Sequence, residues 1–370
     1  MSRFDYTATA RKLWARFPVL TYVSIKVNFW VIANLLLGII LHLQALRINQ
    51  LLRAPGLSSL KPILLVATIF GILYGVIHGL AGYYFEKKFY GKKSLGKIII
   101  FNTVLSFGVL VLLFGFVRFV LAGWLMADYM ERYPLNNTSW KYFFAIVAIY
   151  YLFMTVLINF IIQVNKKYGP GVLVPLLLGK YRRPREEERI FLFMDLKAST
   201  SLAEKLGHLR YSAFIRDSFT DINNVVSSFN AEIYQYAGDE IILSWRMRDG
   251  TRNASCIHFY FACRNEFLKR ASYYRDQYGL LPEFKAGVHG GMVTAVEIGT
   301  IKQDIAYHGD VLNTAARIQG LCNEYGQQLL VSTKLLAKID LNGVLTQTLG
   351  SVLLKGKERA VEIAGIYHNN

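Results

Sequence analysis

The sequence predicts an α-helical four-span membrane domain followed by an α+β domain of ferredoxin-like, or palm, arrangement. Three observations carry that prediction. Hydrophobic residues make up 53% of the 370 and charged ones 18%, with a mean hydropathy of +0.29, too apolar for an ordinary soluble enzyme. Nearly all of the apolar excess lies before about residue 180. Beyond it, β-patterned runs alternate with helical ones, as in a sheet with helices on one face.

The length allows two domains. Residues 1–164 read as the transmembrane domain, 165–189 as a connector and 190–370 as the second domain. A basic lead-in with Arg3, Arg11, Lys12 and Arg16 precedes four apolar runs at about 27–43, 62–84, 98–127 and 142–164. Each approaches or exceeds the roughly twenty residues that cross a bilayer. The first has no small-residue cleavage site after it and is expected to stay in the membrane. The third is long enough to tilt or break, and Arg118 within it requires a polar contact or an interfacial position. His78 and Asn159 are polar groups inside apolar spans. They read either as helix–helix hydrogen bonds, the favoured reading, or as part of a ligand or ion site.

Loop charge sets the expected orientation. The second loop carries Lys87, Lys88, Lys92 and Lys93, and Lys166, Lys167, Lys180, Arg182, Arg183 and Arg185 follow the fourth span. The third loop is nearly neutral. By the positive-inside rule, both termini and the second domain lie in the cytoplasm, although Arg47 and Arg53 in the first loop fit less cleanly. The same clustering accounts for the net charge of +17 without nucleic acid as a partner; membrane lipid is the expected one. Cys256, Cys263 and Cys322 show neither CxxC spacing nor an even count, so they read as reduced structural residues rather than disulfides or zinc ligands. In the connector, Gly169-Pro170-Gly171 breaks the helix leaving the membrane.

The second domain begins with a strand over 190–195 and a helix over about 200–229. Two strands flank Gly238, and a helix covers about 253–278. Strands follow at 284–289 and 292–298, then 304–308 leads into a helix over about 310–325, and 328–332 returns to strand. The β-α-β-β-α-β order is the ferredoxin-like one.

The first strand ends on Asp195, and Gly238-Asp239 joins two β-patterned runs, a strong hairpin signal. If those runs neighbour the first strand, Asp195 and Asp239 stand side by side, repelling unless a cation lies between them. Hard oxygen ligands of this kind suit Mg²⁺ or Mn²⁺. Taken singly, Asp195 also reads as a helix cap and Asp239 as a turn residue. Downstream, HGDVLNTAARIQG places Asn313 and Arg317 four apart on one helix face.

Together these runs resemble the catalytic domain of class III nucleotidyl cyclases, the adenylate and guanylate cyclases, over about residues 186–368. The resemblance implies that Asp195 and Asp239 hold two metal ions, with Leu196 adding a backbone contact, and that Asn313 and Arg317 steady the transition state. It implies a phosphate-binding turn at Leu196, Lys197, Ala198, Ser199 and Thr200, where Ala198 and Ser199 replace the family's frequent Gly and Phe. Lys355 matches the terminal lysine that contacts the outer phosphates, with Lys357 as alternate. At the base-reading positions the chain departs: Gln235 stands where the family has Lys or Glu, and Ala306 where it has Asp or Cys. An amide suits the adenine edge, so the implied substrate is ATP ahead of GTP. The family builds its site between two subunits, which implies a homodimer. Two other readings stay open: a non-catalytic sensor with a cyclase-like relay domain, and a diguanylate cyclase, from the nearness of AGDEI to Gly-Gly-Asp-Glu-Phe.

Overall fold

The computed structural model describes residues 17–52, 59–89, 95–116, 118, 137–168, 179–301, 303–341 and 343–368. The third span beyond residue 116 (Arg118 excepted) and connector residues 169–178 lie outside them. The contacts divide into two units, one within 16–168 and one from 169 onward.

Among the described residues the first unit has four helices: α1 (Pro18–Leu52), α2 (Leu60–Phe89), α3 (Leu95–Phe116) and α4 (Asn137–Tyr168). Three contain stretches long and apolar enough to cross a membrane, Val19–Arg47, Leu60–Phe85 and Trp140–Asn165; Ile100–Phe116 is a shorter apolar stretch. Leu36, Leu65, Leu112 and Phe153 stand exposed on the outside, as lipid-facing side chains do. Gly71, Gly75 and Gly79 form a seam on α2. A Cβ at Gly71 would come within 2.6 Å of the Val31 Cα, and one at Gly75 within 2.6 Å of the Val27 Cα. Small residues at this spacing let two helix backbones touch, where dispersion rather than hydrophobicity holds helices together in lipid.

The second unit is a sheet in the order β2-β3-β1-β4-β6-β8-β7, with β5 paired to β4. The strands are β1 (Arg185–Leu196), β2 (Glu232–Ala237), β3 (Glu240–Arg246), β4 (Phe284–Ile298), β5 (Asp304–His308), β6 (Leu329–Ser332), β7 (Val344–Val352) and β8 (Val361–His368). Alternation along β1 serves two faces. Ile190, Leu192, Met194 and Leu196 pack on one side with residues of α5 (Ser199–Val226), α6 (Ser255–Lys269) and α7 (Ala271–Tyr278). Phe191 and Phe193 pack on the other with Val311 and Ala315 of α8 (Asp310–Gly320). Cys256, Cys263 and Cys322 are free and buried.

Several boundaries differ from the sequence reading. β1 starts at Arg185, because residues 185–189 pair with Gly291–Ala295 of β4, so the strand reaches into the expected connector. The two strands expected at 284–289 and 292–298 are one: Gly290 and Gly291 pair opposite Ile190 and Arg189 instead of turning. The expected helix over 200–229 kinks at Gly207, and that over 253–278 is two, divided at Arg270.

α8 lies almost on β4. A Cβ at Gly287 would stand 2.2 Å from the Gln319 nitrogen and 2.6 Å from the Ala315 carbonyl oxygen. Backbone cannot yield as a flexible side chain does, so Gly287→Ala is expected to destabilise this unit by about 3 kcal/mol or more. Thermal unfolding of the full chain checks it; an unchanged midpoint would refute the close approach.

Candidate active site

The β1–β3 register sets Asp195 opposite Glu240, and the β1–β4 register sets it opposite Lys285. β2 and β3 close on the Ala237–Glu240 pair, leaving Gly238-Asp239 as a two-residue turn. Gly238 has φ +64°, a left-handed conformation that glycine adopts without steric cost. This turn brings Asp239 beside the end of β1, the juxtaposition the sequence pattern anticipates.

The electrostatics show how close the carboxyls are. Burial first, and then the Asp239 charge, push Asp195 above the ordinary carboxylate range; Lys285 and a hydrogen bond from Gln319 pull the other way. Glu240 is also raised, by burial, then by Asp195 and Asp239. Gln319 Nε2 donates to Asp195 Oδ2 over 3.3 Å, and Lys285 Nζ lies 3.9 Å from the same oxygen. Asp239 Oδ2 is buried and has no hydrogen-bond partner. An unpaired buried carboxylate oxygen is costly. Among the described residues no group of three His, Cys, Asp or Glu side chains forms a ready metal cage. Two convergent carboxylates with an unsatisfied oxygen nonetheless fit Mg²⁺ or Mn²⁺, which takes much of its shell from water and substrate phosphates.

The turn after β1 is built for close approach. Ala198, at the N-cap of α5, has φ +56° and offers no side-chain cap, leaving the first amides of the helix to other acceptors. A non-glycine residue there carries roughly 1–2 kcal/mol of strain. Lys197 is drawn outward, its Nζ 3.1 Å from Glu283. Tyr211 from α5 hydrogen-bonds Ser199 in the field of Asp239 and Asp195. Burial chiefly, and then Asp239, raise its phenol.

The other expected site residues stand elsewhere. Asn313 is exposed and Arg317 half-buried on α8, and a Cβ on Gly356 would meet Arg317 Nη2 at 3.5 Å. Among the described residues no hydrogen bond or ion pair joins Asn313 or Arg317 to Asp195 or Asp239. Helix geometry gives the reason. Arg317 precedes Gln319 by two residues, about 200° around the helix, so with Gln319 turned to Asp195 the Arg317 face points away. Lys355 is exposed, whereas Lys357 pairs with Asp310 at 2.6 Å. Gln235 is exposed beside the irregularity in β2, and Ala306 is half-buried on β5 opposite Val296. Gln319, Lys285, Glu240 and Tyr211 are the neighbours that the sequence reading did not single out. Only the cross-strand register or the helix face could have pointed to them.

Residues 182–364 match the family model described as adenylate and guanylate cyclase catalytic domain. Adenylate cyclase 2 of Rhizobium meliloti (strain 1021) is 37% identical over 193 residues, 52% of this chain and 53% of that protein. The adenylate cyclase of Anabaena cylindrica is 27% identical over 181 residues, 46% of this chain and 35% of its own length. The chain thus spans about half or less of these relatives. Among solved structures, the adenylyl cyclase CyaB from P. aeruginosa is 17% identical, with a TM-score of 0.45 over 51% of this chain and 97% of that one.

Proposed function

Residues 182–364 belong to the adenylate and guanylate cyclase catalytic domain family, and from that premise we propose that the chain is a membrane-anchored adenylate cyclase. It would convert ATP to 3′,5′-cyclic AMP and pyrophosphate. The observation that carries this reading is the Asp195–Asp239 pair at the end of β1, with one buried oxygen unsatisfied.

In the reaction the ribose 3′-oxygen bonds to the α-phosphorus, the bond from that phosphorus to the pyrophosphate oxygen breaks, and the hydroxyl proton leaves. Asp195 and Asp239, with the Leu196 backbone, are the groups to hold two Mg²⁺ or Mn²⁺ ions. When bound, such metals lower the hydroxyl pKa and neutralise triphosphate charge. The amides from Lys197 to Thr200 would cradle phosphate oxygens at the helix start. Asn313 would orient the ribose and Arg317 would offset charge on the α-phosphate, with Lys355 reaching the outer phosphates. Gln235, presenting its amide from β2, and Ala306 would bound the base. Adenine is favoured by the amide's paired donor and acceptor, and by the names of the relatives.

The outward face of Asn313 and Arg317 supports a homodimer in which each site takes its aspartates from one chain and this pair from the other. The strand order β2-β3-β1-β4 supports the palm arrangement. We keep the division into a membrane domain (1–164), a connector (165–189) and a catalytic domain (190–370) as a proposal; the described residues divide between 168 and 169, and β1 begins at Arg185. Three candidate spans and the shorter apolar stretch of the third helix support four spans, and the lysine-rich second loop supports cytoplasmic termini. Labelling of cysteines introduced at Lys87 and Lys93 tests that orientation: protection from an impermeant reagent outside the cell is expected, and labelling there would reverse it.

Incubating the purified full chain separately with ATP and GTP, with Mg²⁺ or Mn²⁺, tests the activity. Cyclic AMP in excess is expected. Absence of either cyclic product would favour the relay reading, which the Gln235 and Ala306 departures support.

Gln319 offers a finer test. Its hydrogen bond lowers the Asp195 pKa, so Gln319→Leu is expected to raise it. The acid limb of the activity profile should then move to higher pH. A limb that stays in place would remove Gln319 from the site.

A further inference from the structure

β1 holds a charged residue on a face that is otherwise aromatic. Phe191 and Phe193 pack toward α8, and two residues earlier on the same alternation stands Arg189, only 2% exposed. Its guanidinium reaches several strands at once. Nη1 donates to Glu187 at 3.2 Å, and Nη2 donates to Ser244 Oγ on β3 at 2.9 Å and pairs with Glu232 on β2. The same group lies over the Tyr307 ring of β5, 4.7 Å from its centroid. Stability alone does not account for such a residue. Apolar side chains of similar volume often serve as well as a buried ion pair, and Arg189 Nε stays buried without a hydrogen-bond partner.

What the cluster does is join β2 to β5, two strands with no ladder between them: β2 pairs with β3, and β5 with β4. The β2–β3 register slips between Ile233 and Gln235, so Tyr234 is the extra residue of a bulge. In a bulge two successive residues oppose one partner, here Ile242, and the local twist re-aims their side chains. Tyr234 turns its ring onto Tyr307, with centroids 5.3 Å apart, and onto Phe191 at 5.9 Å; Phe191 and Tyr307 close the triangle at 5.4 Å. Gln235 thus follows directly on a residue held in the aromatic triangle, and Ala306 directly precedes another. Arg189 pins both strands, β2 through the Glu232 ion pair and β5 through the cation–π contact with Tyr307.

We propose that Arg189 is a positioning residue for purine recognition, acting through Glu232, Tyr234 and Tyr307 on the places of Gln235 and Ala306. The inference rests on the reading of Gln235 and Ala306 as the residues that bound the base, and adds what holds them there. A side-chain amide carries a donor and an acceptor that exchange places when it turns over, so a loosely held Gln235 suits either purine. Ala306 has no polar side chain to correct the choice. Discrimination between adenine and guanine therefore falls on how firmly β2 and β5 are held, and Arg189 holds both.

The test is steady-state kinetics of the full chain with ATP and with GTP, alongside binding of the two 3′-deoxy analogues, which cannot cyclise. Arg189→Leu is expected to raise KM for ATP about tenfold, to lower kcat by less, and to narrow the preference between ATP and GTP in kcat/KM by about tenfold. Arg189→Lys keeps the charge without the planar fork and should recover part of that preference. Tyr234→Leu leaves the ion pairs in place, so it reports even if the Arg189 variants fail to fold; the same narrowing is expected. A residue serving stability alone would reduce the active fraction, lowering kcat for both nucleotides equally and leaving KM and the preference as they are. That pattern, or an unchanged preference in Tyr234→Leu, overturns the positioning role while the cyclase reading stands. Gln235→Ala is the control for the base reading: an unchanged preference there removes Gln235 from the base, and the proposal with it. A parent chain that binds neither analogue and forms no cyclic product overturns both readings.

Discussion

Asp195→Ala and Asp239→Ala are each expected to lower cyclic AMP formation by about a thousandfold or more. Metal-borne charge stabilisation amounts to several kcal/mol, and each 1.36 kcal/mol is tenfold in rate. The same substitutions should not unfold the protein. Asp239 holds a buried unpaired oxygen, and its charge helps raise both Asp195 and Glu240. A carboxyl whose folded pKa lies above its unfolded value penalises the native state when it ionises. That penalty is absent below the ordinary aspartate range and complete above the raised pKa. Asp239→Ala relieves it, so the metal-free variant should melt higher than the parent at neutral pH, with the difference fading under acid conditions. A residue placed for stability would behave the opposite way, losing activity and midpoint together. Parental turnover in either variant would sink the assignment.

What could be read from the chain divides along the range of the forces involved. The Ala237–Glu240 hairpin and the run ending at Asp195 are local signals, a glycine-containing turn and an apolar strand. Asn313 and Arg317 share a face by helix period alone. The adjacency of Asp195 to Asp239, in contrast, depends on β1 pairing with β3, which only the motif order hinted at. Gly290-Gly291 resembles a turn in sequence but stays in the strand because β1 pairs along it. β7 and β8 escaped notice; β7 is mostly exposed and shows no clean alternation. Gln319 sits among ordinary helix residues, and its contact with Asp195 crosses 124 positions. Lys26 preceded the apolar run as the sequence marked it, yet it lies inside α1 with its side chain buried. The glycine seam on α2 and its partner, Val23 to Val31, become visible only with the helices packed.

Mixing two inactive variants should restore activity. Arg317 lies about 200° around α8 from Gln319, and Gln319 reaches Asp195 of its own chain. A site that needs both Arg317 and the aspartates therefore draws them from different chains of a two-fold dimer. An Asp239→Ala chain paired with an Arg317→Ala chain forms one site with both lesions and one with neither. Random pairing makes about half of the dimers mixed, each with one intact site of two, so activity should recover to roughly a quarter of the parent if the sites act independently. Each variant alone should remain near background. Co-expression followed by cyclic AMP assay in membranes measures this directly. Recovery near a quarter would place Arg317 and Asp239 in one site built from two chains. No recovery, with an active parent and dimers confirmed by cross-linking, would mean that α8 turns its arginine toward its own aspartates during turnover. In that case the Gln319 contact must break, and Gln319→Leu would be expected to raise the rate rather than shift its pH profile.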